Sequence, residues 1–182
     1  KPFVVVPNDV GEIGYSESGG DQKVDYEGSG GVAINTVWRK LLFSVYMKDR
    51  NLFFTTKTND RSRILFRRNV IDRITHITPF LSLDQDPYIV MTEEGLFWIQ
   101  DAYTTADNYP LAPPVEEGFN YIRNSVKIVV DAYHGNVSYY ISDSRDPIIN
   151  AYRRMYPGVF RPLAEMPAAL QKHVRYPRDI FF

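Results

Sequence analysis

An α+β fold is what this 182-residue sequence predicts, and three observations predict it. The middle carries two hairpin signals, with strands near 88–100 and 126–141. Capped stretches of helical period precede and follow them, at 36–45, 69–77 and 146–156. Mixed elements, then hairpins, then helices is an order of segregated α and β, and no internal repeat interrupts it. The length suits one soluble domain over 1–182, able to bury roughly 70% of the surface its unfolded chain exposes.

Taken in order, Phe3-Val4-Val5-Val6 reads as a short strand ended by Pro7, and residues 11–20, with four glycines and two serines, as a turn-rich loop. Lys23-Val24-Asp25-Tyr26-Glu27 alternates polar and apolar, as a half-buried strand does. After the turn Gly28-Ser29-Gly30-Gly31 comes a helix capped by Asn35 or Thr36. Its Val37, Trp38, Leu41, Leu42 and Val45 form an apolar stripe at helical spacing. Residues 49–58 fit a short helix or a strand. Asn69 opens the next helix, with Ile71, Ile74 and Ile77 in its stripe until Thr78-Pro79 stops it.

Two short strands, 88–92 and 96–100, flank Glu93-Glu94-Gly95. Residues 101–118 carry three prolines and no helical period, so they read as one loop, longer than compact domains carry without a task for it. The second hairpin turns at Tyr133-His134-Gly135-Asn136. Asp146-Pro147 then supplies an N-cap with proline at the first helical position. Ile148, Ile149, Tyr152, Met155 and Tyr156 form the face expected to be buried, and Arg153 and Arg154 sit near the negative helix end before Pro157-Gly158. Met166, Leu170 and Val174 stripe a shorter helix from Pro167.

Composition removes several classes of function. The absence of cysteine excludes disulfides, thiolate metal sites and cysteine nucleophiles. Three histidines, none at ligand spacing, give no reason to expect a metal: His76 and His173 lie near helix ends and His134 in a turn. The formal charge of −1 offers no bulk polycation, and no base-stacking motif is present, so no nucleic acid is expected. Gly28, Gly30 and Ala33 match G-x-G-x-x-A. The preceding strand alternates, however, the helix cap lies beyond the glycines, and no βαβ series follows, so a plain turn is the better reading and no cofactor is expected. There is no G-x-S-x-G elbow and no P-loop. No apolar run approaches the roughly 18 residues of a membrane span.

Charge is unevenly spread. Residues 39–73 hold ten Lys/Arg against three acids, and residues 84–117 hold eight acids and no Lys or Arg. Such blocks are solvated faces, intramolecular complements or contact surfaces. As a contact surface, Arg61, Arg63, Arg67 and Arg68 would form an anion-facing patch, because arginine forks match phosphate oxygens. In the 101–118 loop, Tyr103, Asp107 and Tyr109 are the candidate interaction residues. The carboxylate pairs Asp84/Asp86, Glu93/Glu94, Glu116/Glu117 and Asp143/Asp146, or carboxylates converging from 84–86, 93–94 and 101–107, are the acid–base candidates, and neighbouring acids in turns are commonly solvated punctuation.

One further pattern runs through nearly the whole chain. It includes Ser62-Arg63-Ile64-Leu65-Phe66-Arg67-Arg68, Asp101-Ala102-Tyr103-Thr104-Thr105, Tyr109-Pro110, Asn120-Tyr121-Ile122-Arg123-Asn124-Ser125-Val126-Lys127, Asp131-Ala132-Tyr133, Asp146-Pro147 and Arg175-Tyr176-Pro177. In these the chain resembles uncharacterised protein family 0182, large bacterial and archaeal membrane proteins with several N-terminal spans and a large extracytoplasmic region. The one departure is His134-Gly135 where the family often has Asp-Gly, which suits a surface turn. The resemblance implies a multi-pass parent in the cell membrane, with this segment on the extracytoplasmic side; it implies no reaction and no catalytic residue. The start at Lys1 and the apolar finish at Phe181-Phe182 likewise read as cuts in a longer polypeptide.

The leading expectation is therefore a non-enzymatic extracytoplasmic module, attached to the membrane through its parent and binding an envelope protein or anionic lipid headgroups. An envelope hydrolase or transferase using paired carboxylates is the second reading, and a small-ligand sensor or transporter-associated domain the third.

Overall fold

In a computed structural model of the chain, both predicted hairpins form, and they belong to one six-stranded sheet. Residues 2–9, 12–14, 22–24, 26–113 and 118–181 are described below. They fall into two compact units, Lys1–Arg68 and Asn69–Phe182.

In the first unit, β1 (Phe3–Val6) and β4 (Val32–Ala33) flank β5 (Arg63–Phe66), all antiparallel. A separate ribbon pairs β2 (Glu12–Gly14) with β3 (Gln22–Val24). Most of the predicted 11–20 loop lies outside the described residues, and Glu12–Gly14 are strand rather than loop. Helix α1 (Val37–Tyr46) starts where Thr36 accepts a hydrogen bond from the Arg39 N–H, and a short α2 (Asn51–Phe54) follows. Ile34, Leu52 and Ile64 form the core, with Phe3, Val5, Phe43, Met47 and Phe66 packed around them.

The second unit is a sheet covered on both faces. The order is β11 (Phe160–Pro162), β10 (Val137–Ile141), β9 (Tyr121–Asp131), β8 (Gly95–Ala106) and β6 (Ser82–Leu83), with β7 (Tyr88–Thr92) sharing the β8 edge with β6. Every pairing is antiparallel except β10 with β11. On one face, α3 (Val70–Ile77) and α4 (Pro147–Met155) bring Ile74 and Ile149 against Ala102, Val126, Ile128, Val130, Tyr139 and Ile141. On the other, Met166, just after a 3-10 turn at Leu163–Glu165, and Leu170 of α5 (Ala168–Gln171) pack on Tyr88, Val90, Ile99, Val129 and Tyr140. A last helix, α6, spans Arg178–Phe181.

The hairpin strands are longer than predicted. Residues 101–106, expected in a loop, complete β8, and 121–125 begin β9. Their polar side chains break the apolar pattern that marks a strand in sequence, yet most of their backbone pairs across the sheet, with a bulge at Asn124 and Ser125. In α4, Met155 and Tyr156 are exposed rather than buried, leaving Ile149 as the side chain fully inside.

Candidate functional site on the first helix

Three places invited by the sequence have distinct fates. The first is Tyr103, which is 3% exposed and stands in a strand, so it is not part of an interaction loop. Its hydroxyl donates to the Asp84 carboxylate, which also accepts from the backbone N–H of Asp86 at 2.9 Å and of Asp179 at 3.0 Å. Burial alone would raise the Asp84 carboxyl, but the donors from Asp179, Tyr103 and Asp86 outweigh it and hold it below its ordinary value. Burial and the Asp84 charge push the Tyr103 phenol up. Beside it, the buried Lys127 ammonium pairs with Asp101 and donates to the Arg175 carbonyl at 2.9 Å, while the Asn124 amide donates to Asp101 at 3.0 Å.

This arrangement depends on a bulge. Between Ala102↔Val126 and Thr104↔Arg123 the register shifts by one residue, with the extra residue on β9. Bulges re-aim side chains: Asn124 turns to Asp101, while Ser125 turns to Asp146 at the start of α4. Asp146 then accepts from Thr104 and Ser125 at 2.5 Å, Tyr121 at 2.7 Å, and the Ile148 and Ile149 N–H groups. Burial pushes its carboxyl up and these donors, outweighing that, bring it down. Asp143, the other half of that predicted pair, is held by Arg123 at 2.6 Å. Asp84, Asp101, Asp143 and Asp146 are thus all engaged in tying the sheet, its helices and its turns together. Among the described residues, no three His, Cys, Asp or Glu side chains are grouped to hold a metal.

The second place is the remainder of the predicted loop. Asp107 is exposed and Tyr109 half-buried, with its ring stacked 4.4 Å from that of Tyr121. Asn120 pins the segment, accepting from the Tyr109 N–H and donating to the Tyr109 and Ala112 carbonyls. Glu116 and Glu117 lie outside the described residues. Glu93 and Glu94 line an open depression of about 760 Å3 together with Met91, Lys172 and His173.

The third place is the arginine cluster. Arg63 does not face an anion: its guanidinium donates to the carbonyls of Ser29, Gly30 and Gly31 and holds the glycine turn. Gly31 has φ +72°, and a Cβ there would lie 2.5 Å from the Ile64 carbonyl oxygen, so glycine serves close backbone packing against β5. Arg67 donates to the Tyr46 hydroxyl at 2.9 Å. Arg61 and Arg68 are exposed.

The surface that stands out is the apolar stripe the sequence shows on the first helix. On α1, Phe43 and Met47 pack on the unit's core and Ser44 is buried, its hydroxyl donating to the Asp49 carbonyl. The stripe of Val37, Trp38, Leu41, Leu42 and Val45 points the other way, with Trp38 75%, Val45 71% and Leu42 67% exposed. At about 100° per residue, these five cover one continuous side of the helix. On α2, Phe54 is also exposed. Contiguous apolar surface is uncommon on the exterior of a folded domain. Arg39, Lys48 and Arg50 are exposed around it, and α1 contains no acid.

Comparison with known proteins gives this segment its relatives. The model of an uncharacterised protein family, UPF0182, matches residues 1–182. The chain belongs to that family. It is 51% identical to a UPF0182 protein of Nitrosococcus oceani over 98% of this chain and 22% of that protein. With the UPF0182 protein of Syntrophobacter fumaroxidans the identity is 54%, over 98% of this chain and 21% of the relative. The chain therefore spans about a fifth of the length of these relatives. No solved structure matches it. Among the described residues, no helix is long and apolar enough to cross a membrane.

The sequence did hold a signal for the outward face of this UPF0182 segment. Val37, Trp38, Leu41, Leu42, Phe43, Val45 and Met47 make α1 apolar around most of its circumference. The first unit's core covers the side that carries Phe43 and Met47.

Proposed function

We propose that this chain is a non-enzymatic docking module of a larger UPF0182 protein, attached to the membrane through the rest of that protein and working on the extracytoplasmic side. The observation that carries the reading is the α1 stripe, an apolar surface with no covering in its own unit. The engagement of Asp84, Asp101, Asp143 and Asp146 in structural hydrogen bonds and ion pairs supports it, because it leaves those carboxylates no free role in acid–base chemistry. The test uses the absence of cysteine from the chain. Leu42→Cys and Asn108→Cys are placed singly in the full-length protein that contains this chain, with any cysteine outside these 182 residues replaced by serine, and exposed to an impermeant thiol reagent. Labelling of Asn108→Cys in intact cells, with Leu42→Cys protected before and after lysis, is the expected result. Leu42→Cys reacting as fast as Asn108→Cys would mean that nothing covers the face.

One observation favours a second reading, an envelope hydrolase: Glu93 and Glu94 share an open depression with Lys172 and His173. Glu93→Gln with Glu94→Gln would abolish the cellular role of such an enzyme and leave that of a docking module intact.

A further inference from the structure

We infer that the occupant of the α1 face is an anionic lipid surface, on which α1 lies flat with Val37, Trp38, Leu41, Leu42 and Val45 among the acyl chains. This deepens the docking reading and rests on it. A helix that lies in a bilayer interface has an apolar side, aromatic groups at its border and cations around it. The α1 face has all three. Trp38 lies within the stripe and Tyr46 beside it, both exposed. Arg39 stands near the start of the helix, and Lys48 and Arg50 follow its end; all three are exposed. Between residues 37 and 57 a single acid, Asp49, stands against Arg39, Lys40, Lys48, Arg50 and Lys57.

The same charges argue against the other occupants. In a symmetric pair of copies joined through this face, cations at either end of α1 would meet cations of the other copy, whether the helices run parallel or antiparallel. No acid on α1 would offset them. A protein groove for an amphipathic helix requires the apolar anchors but has no need of cations at both ends. An anionic headgroup layer uses both, since each Lys or Arg near such a surface adds attraction that falls off within a Debye length. The helix is anchored for this task from behind: Phe43 and Met47 fix its other side to the core, and the Lys40 ammonium donates to the Thr58 hydroxyl at 2.5 Å.

The experiment measures partition of the 182-residue chain, once a cooperative denaturation transition shows that it folds alone, onto phosphatidylcholine vesicles with and without phosphatidylglycerol. A Trp98→Phe background leaves Trp38 as the only indole. The expected result is binding to the anionic vesicles, a blue shift of Trp38 emission, and weakening as salt is added. Leu42→Ser with Val45→Ser should lower the partition about tenfold or more, and Lys48→Gln with Arg50→Gln should lower it on anionic vesicles alone, each with an unchanged far-ultraviolet circular dichroism spectrum. No partition, or partition unaffected by either pair, overturns the inference. Self-association lost with Leu42→Ser and Val45→Ser, without vesicle binding, would give the face to a second copy. That outcome sinks the lipid assignment while leaving the docking reading standing, whereas free reactivity of Leu42→Cys in cells sinks both.

Discussion

Helices α1 and α4 begin alike and end in opposite situations. Each has a side-chain N-cap, Thr36 or Asp146, and each carries an apolar stripe at helical spacing. In α4 the stripe meets a sheet: Ile149 is fully buried against Val126, Ile128 and Ile141, and the cap itself is tied to Thr104, Ser125 and Tyr121 of the strands below. In α1 the stripe of five faces outward, and the contact with the core is made by Phe43 and Met47 on the other side. Periodicity marks an apolar face on each helix, but not which side of the helix meets the core. The first unit offers α1 a small core of three buried side chains, Ile34, Leu52 and Ile64, which two neighbouring side chains of the helix suffice to meet.

That contrast can be broken at its strongest point first. Asp146→Ala removes the cap and strands the buried hydroxyls of Thr104 and Ser125 and the half-buried one of Tyr121, so the second unit should lose about 3–5 kcal/mol in chemical denaturation. A loss below about 1 kcal/mol would mean that Ile149 alone holds α4. Lys127→Ala, which leaves Asp101 buried without its cation, should cost a similar amount, about 3–5 kcal/mol. Adding Asp101→Leu should recover much of it; no recovery would locate the cost in lost packing instead.

Acid probes the same bonds more gently. The carboxyls of Asp84 and Asp146 are depressed in the folded state, so they bind protons less readily there than in the unfolded chain. Their contribution is complete above the unfolded value of about 4 and is lost as pH falls through the lower folded values. The denaturation midpoint should fall in that window for the parent, and less for Asp146→Asn, whose residue 146 no longer titrates.

The paired helices then give the clearest readout of burial. Ile149→Ala should cost about 2–5 kcal/mol, whereas Leu42→Ala should stay within about 0.5 kcal/mol in the absence of vesicles. A large cost at Leu42 would show that α1 is packed on both sides in solution. At the smallest end, Thr36→Ala should cost about 1 kcal/mol, the worth of an exposed cap with a single side-chain bond. An effect matching that of Asp146→Ala would erase the distinction between the two caps.

Much of the second unit was legible in the residues. The turns Glu93-Glu94-Gly95 and His134-Gly135 fell between strands of the right spacing, and Asp146-Pro147 announced α4, because these are local signals in backbone conformation and capping. The extension of β8 through Tyr103 was not legible. Asp101, Tyr103 and Thr104 look like loop residues until Lys127, Asp84 and Asp146 arrive from elsewhere in the chain to satisfy them. Arg63 misled for the same reason: nothing local shows that its fork closes on the carbonyls of Ser29, Gly30 and Gly31. The stripe of α1 was visible in the sequence as a helical apolar pattern, but its exposure was not.

The residues alone were enough for the α+β class, the two hairpins, the caps at Asn69 and Asp146, a first cap narrowed to Asn35 or Thr36, and, through the match over residues 1–182, membership of UPF0182. These follow from short-range stereochemistry and from residue patterns that need no partner to be read. Only the tertiary structure decided which side of α1 is inside, that the buried carboxylates hold the sheet to its helices, and that a one-residue bulge on β9 sends Asn124 and Ser125 to different aspartates. The physical reason is common to all three. Burial and hydrogen-bond satisfaction are settled by groups distant in sequence, and a side chain's neighbours, more than its own chemistry, decide whether it stabilises the fold or is left to meet something else.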